Sequence, residues 1–119
     1  MKKIIFISAL GSLYIGYSVW VYTRGTDCKT IMSASAVEGR KLWQINNCQT
    51  CHQLYGLGGY MGPDLTSVTT DKNRGIPYAK GILLSGGARM PNFNFSERNV
   101  VDILEYLSYV NTTNATLTK

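Results

Sequence analysis

Cys48-Gln49-Thr50-Cys51-His52 decides how the rest of this chain is read. The pattern C-x-x-C-H is an attachment signal for a c-type haem. The two thiols add across the porphyrin vinyl groups, and the adjacent imidazole ligates the iron from the proximal side. A zinc site would need four ligands, and Cys28 is the only further cysteine, with no second histidine. A thioredoxin-like redox pair calls for a βαβ pattern that the sequence does not show. His52 is the only histidine of the chain, which makes it the proximal ligand.

Outward from the motif, 119 residues with a net charge of +5 make one domain with an appendage. The appendage is residues 1–33, a transmembrane anchor and linker; the domain is residues 34–119, ending in a polar tail. A core of that size is marginal alone, and a covalently held porphyrin adds a large apolar element to it. Lys2 and Lys3 precede the apolar segment, leaving ten basic against seven acidic residues in the remainder. No basic run or basic-aromatic interleaving is present, which argues against nucleic acid as a partner.

Ile4 to Thr23 contains 20 residues without a charge. At ~1.5 Å per residue it spans about 30 Å, the hydrocarbon thickness of a bilayer. Trp20 and Tyr22 lie at its far end, where amphipathic rings favour the headgroup layer. A cleaved signal peptide would be shorter and end in small residues, whereas this stretch ends Val-Tyr-Thr-Arg. The expectation is a retained anchor in membrane lipid. Ser8, Ser12 and Gly16 repeat every four residues, a small-residue face suited to close packing against another helix. The flanking charges, Lys2 and Lys3 against Arg24 and Lys29, nearly balance and do not set the orientation.

Ser35-Ala36-Val37-Glu38 predicts a capping box opening a helix to about Asn46, with Ala36, Gly39 and Trp43 on one face. From Gln53 to Asn73 helical period is missing and Gly56, Gly58, Gly59, Gly62 and Pro63 predict a loop wrapped on the haem. Pro77 opens a second helix, Tyr78 to about Leu84, which Gly86-Gly87 ends. Ser96 opens the last helix, with Phe95 and Val100 as a hydrophobic staple and Val100, Ile103, Leu104, Leu107 and Val110 on one face. The tail from Thr112 is expected to fray.

A haem used for electron transfer keeps a sixth ligand, and with one histidine methionine is the natural choice. Met1 and Met32 lie outside the domain's core. Met90, before Pro91 in a stiff loop between two helices, is favoured; Met61, nine residues past His52, is the other candidate.

These elements together resemble the all-α class I cytochrome c fold over Ser35 to Val110. The resemblance implies that Gly39 and Trp43 face Ile103 and Tyr106 where the first and last helices cross. It also implies that the Pro63 carbonyl accepts the Nδ1–H of His52. Gly56-Leu57-Gly58-Gly59-Tyr60 and Met90-Pro91-Asn92-Phe93 are similar to segments of the small membrane-anchored cytochrome c subunit of bacterial nitric oxide reductase. That likeness implies a mono-haem c electron-transfer subunit with no catalytic residues of its own. It would take electrons from a soluble donor to a larger haem-bearing integral membrane catalytic subunit. It would hold its haem domain on the periplasmic side of the bacterial inner membrane. The family also implies a calcium ion at the subunit interface, to which the Gly58 carbonyl and Tyr60 would contribute. Leu57 departs from the acidic residue common there. Other readings are the cytochrome subunit of an oxygen-reducing haem–copper oxidase, a free anchored shuttle, a gas-binding haem sensor, and an anchored thiol oxidoreductase.

Overall fold

The apolar N-terminal stretch forms one uninterrupted helix in the computed structural model, which describes residues 2–24 and 31–117. This helix, α1 (Lys2–Arg24), buries no residue and is long and apolar enough to cross a membrane. Its hydroxyls are satisfied within the helix: Ser8 donates to the Ile5 carbonyl and Ser12 to the Ser8 carbonyl, both at 2.9 Å. Such back-bonding lets small polar side chains sit in an apolar segment without unpaired donors. Cys28, whose role the sequence leaves open, and Met1 lie outside the described residues. The chain divides into two compact units, residues 1–31 and 32–119.

In the second unit, α2 (Ala34–Ile45) begins at Ser33, whose hydroxyl accepts from the Ala36 N–H at 3.1 Å. The expected capping box of Ser35 and Glu38 does not form. Ser33 has the extended backbone a cap requires, while Ser35 is already helical and gives its hydroxyl to the Asp102 carboxylate. Glu38 pairs instead with Lys41 at 2.7 Å. Asn46 ends the helix, and Asn47, left-handed at φ 51°, reverses the chain into a 3-10 turn at Cys48–Thr50.

The glycine-rich stretch is not featureless. Its first part is a short antiparallel hairpin, β1 (Gln53–Leu54) and β2 (Leu57–Gly58), followed by a 3-10 turn at Val68–Thr70. Helix α3 (Ile76–Ser85) starts one residue before Pro77 and ends at Gly86, whose φ of 77° is the left-handed stop that favours glycine. Helix α4 (Glu97–Leu117) starts at Ser96, whose hydroxyl accepts from the Asn99 N–H at 3.2 Å. The tail expected to fray from Thr112 is helical to Leu117. There Thr112 bonds back to the Ser108 carbonyl at 2.9 Å, and Tyr55 holds α4 from outside the helix.

The five apolar α4 positions read from the sequence, Val100, Ile103, Leu104, Leu107 and Val110, are all buried. Each such side chain contributes roughly 1.5–3 kcal/mol when fully buried. They pack with Trp43 and Leu83, so α4 is the axis against which α2 and α3 rest. Helices α2 and α4 cross at Gly39, where a Cβ would collide with the Asp102 carbonyl and lie 2.9 Å from the Ile103 nitrogen. Trp43 and Tyr106 meet beside the crossing with ring centroids 6.1 Å apart, as the class I resemblance implied.

Candidate haem site

Local geometry around the motif is set by hydrogen bonds within fifteen residues. The amides of Cys51 and His52 return to the Cys48 carbonyl at 3.2 and 2.9 Å. That turn brings both cysteine side chains, each half-buried, to the side of the fold where His52 stands. The following loop folds back over the turn: Gly59 N–H donates to Gln49 O at 2.9 Å and Gly62 N–H to Cys51 O at 2.7 Å. A Cβ on Gly62 would lie 2.6 Å from His52 Nδ1. Glycine is required there because the backbone runs across the face of the imidazole.

His52 Nδ1 lies 2.9 Å from the Pro63 carbonyl oxygen. A carbonyl can only accept, so Nδ1 carries the hydrogen and Nε2 keeps its lone pair for a metal. Trp43 covers the imidazole with ring centroids 6.3 Å apart.

Cys48, Cys51 and His52 open onto a cavity of about 910 Å³, within the size range of cofactor pockets. Its walls are largely apolar, from Leu65, Val68, Ile82, Leu83, Phe93, Ile103 and Leu107. Met90 also lines it, contributed by the loop between α3 and α4 and packed against the core. A turn closed by Gly87 N–H on the Met90 carbonyl at 2.9 Å holds that residue in place. Met61 lines the same cavity but is 68% exposed.

Charge is sparse here and the ionisable groups respond to local contacts. Burial raises the Cys48 thiol, with the nearby Cys51 adding to it and the backbone opposing. Burial also pushes the Asp64 carboxyl up, but hydrogen bonds from the Thr66 hydroxyl and amide and the Gly56 amide together hold it below its ordinary value. Asp71 lies low because the Arg74 and Asn73 amides bond it, at 2.9 and 2.7 Å. Tyr106 is raised by its burial and by nearby Tyr55.

The candidate calcium contributors sit apart from this cavity's wall. Gly58, at φ 135°, approaches so near the His52 backbone that a Cβ would clash, and Tyr60 is 88% exposed. Among the described residues no three His, Cys, Asp or Glu side chains cluster to hold a metal ion. Sequence reading missed Tyr55 and Asn114, both lining the cavity. Only the Tyr55-Gly56 pair carried a signal, as a two-residue turn between short apolar runs.

Two thiols and an imidazole on one wall of an apolar cavity, with a methionine on another, fit a haem held by thioether bonds. That fold and donor set define a c-type cytochrome domain. Residues 34–107 match the family described as "Cytochrome C oxidase, cbb3-type, subunit III", and the chain belongs to that family of haem c proteins. It is also similar to the small C-type subunit of nitric oxide reductase from Stutzerimonas stutzeri, 32% identical over 87 residues, 66% of this chain and 60% of the relative. The protein of the same description from Paracoccus denitrificans is 27% identical over 124 residues, 94% of this chain and 82% of the relative. A third, from Halomonas halodenitrificans, is 21% identical over 88% of this chain and 78% of its own length. The match to the Stutzerimonas protein thus spans about 60% of that relative's length.

Proposed function

We propose that this chain is a membrane-anchored mono-haem c electron-transfer subunit of a nitric oxide reductase. Cys48 and Cys51 hold the haem covalently, His52 Nε2 and the Met90 thioether face the iron, and the Pro63 carbonyl orients the imidazole. The haem supplies a reversible one-electron couple. His52 needs no proton transfer in that role: its Nδ1 hydrogen stays on Pro63, fixing ring angle and tautomer. Trp43, Leu83 and Ile103 exclude water, and Met90 raises the potential relative to a second nitrogen ligand. The observation that carries this reading is the imidazole pinned to Pro63 on the same apolar cavity that Met90 lines.

Electrons would come from a soluble donor and leave to a larger haem-bearing integral membrane subunit, a reading that the similarity to the nitric oxide reductase proteins supports. Helix α1 would anchor the chain as a single pass in the lipid of the bacterial inner membrane, N-terminus in the cytoplasm and haem domain on the periplasmic side. The Gly58 carbonyl and Tyr60 would complete a calcium site only with carboxylates from the partner subunit. The description of the matched family favours a second reading, the cytochrome subunit of an oxygen-reducing haem–copper oxidase.

Purification from membranes in mild detergent tests both. The expected result is a chain heavier than its amino acids by one covalent haem, accompanied by a large membrane subunit that reduces nitric oxide and lacks copper. A copper-containing partner selects the oxidase, absence of any partner selects a free shuttle, and a colourless chain of unmodified mass removes the cytochrome reading altogether.

A further inference from the structure

Tyr55 occupies a backbone position that ordinarily belongs to Asn or Gly. Tyr55 and Gly56 join β1 to β2, and both have positive φ, 55° and 73°. Two-residue hairpin turns of that hand take Asn-Gly or Asp-Gly, because a bulky side chain disfavours left-handed backbone. Strain of this kind persists where the surroundings over-determine it and points to a role for the residue.

The surroundings are built. The Tyr55 hydroxyl reaches the Val110 carbonyl of α4 at 3.2 Å and meets the Thr113 hydroxyl, 55 and 58 residues further along the chain. Thr113 itself reaches the Val110 carbonyl at 2.9 Å, so the three oxygens form one closed set. On the other side, the Tyr55 amide donates to the Thr66 hydroxyl at 2.6 Å, and the Asp64 carboxylate accepts from the Thr66 amide at 2.7 Å. Tyr55, Thr66 and Asn114 all line the cavity. The hairpin begins at Gln53, the residue after His52.

We propose that Tyr55 is a positioning residue whose hydroxyl clamps the His52 hairpin to the last turns of α4 and closes one rim of the cavity to water. This rests on the haem reading above. A macrocycle edge screened from water disfavours the more charged ferric state, so the clamp raises the reduction potential. It also denies small ligands a route to the iron from that rim.

The test uses the full-length holoprotein in detergent. Tyr55→Phe keeps the ring and removes the hydroxyl; Tyr55→Asn suits the turn but loses the reach; Thr113→Ala removes the partner. Each is expected to take up haem as the parent does, to titrate at a lower midpoint potential, and to bind cyanide in the ferric state several-fold faster. Tyr55→Asn is expected to share the deficit in spite of its easier turn. An unchanged potential and cyanide rate in Tyr55→Phe overturns the proposal, and Thr113→Ala decides in the same way if Tyr55→Phe does not accumulate. Failure of the underlying haem reading is separately visible, as an unmodified parent chain before any variant is made.

Discussion

Single atoms decide the proximal side. Because a Cβ at Gly62 would lie 2.6 Å from His52 Nδ1, Gly62→Ala displaces either the imidazole or the Pro63 carbonyl. The expected outcome is a sharp fall in holoprotein yield, measured as covalent haem per chain. Across the cavity, Met90→Ala should give a high-spin ferric spectrum, carbon monoxide binding by the ferrous form and a lower potential, while Met61→Ala leaves all three unchanged. Asp64 sets an acid limit. Its folded pKa lies below the unfolded value of about 3.9, so its contribution to stability is complete above that value and disappears as pH falls through the folded one. Asp64→Asn should therefore be less stable than the parent at pH 7, with the difference closing below about pH 4 in urea titrations of the holoprotein. Cys48, Cys51, His52 and Met90 were legible in the sequence because their chemistry needs those residue types at those places. Tyr55 was not, since its partners Val110 and Thr113 are more than fifty residues away.

Among the elements, the crossing of α2 and α4 carries the sharpest constraint. Gly39 lets the Asp102 and Ile103 backbone approach within the radius of a methyl group. Gly39→Ala should lower stability by ~3 kcal/mol, the upper range for overpacking, as seen in thermal unfolding of the holoprotein. Helix faces were readable because a 3.6-residue period shows which side chains meet the core, and all five α4 positions followed it. Helix ends were less so. Ser33 and Ser35 are chemically equal caps, and the choice between them is made by Asp102, 67 residues from Ser35. The persistence of α4 past Thr112 likewise depends on Tyr55, not on the polar composition of the tail.

At the scale of the whole molecule, α1 stands as a unit of its own with every large apolar side chain exposed. That is a surface suited to lipid or another helix and unsuited to water. Expression with the anchor replaced by a cleavable export signal should move the haem domain from the membrane pellet to the soluble fraction with its spectrum unaltered, as checked by fractionation and absorption. The cost is expected in electron delivery to a membrane partner, not in the haem domain.

The two sides of the cavity differ in how far apart their parts lie along the chain. His52 meets Pro63 over a separation of 11 residues, whereas Met90 lies 38 residues beyond His52. Closing the longer segment costs about 1 kcal/mol more chain entropy, before α3 and α4 are themselves docked. The nascent protein therefore presents a finished imidazole seat while its thioether arm is still unplaced. Thiols in such a half-assembled chain remain reachable by whatever machinery joins them to porphyrin, and the final helix shuts the door afterwards.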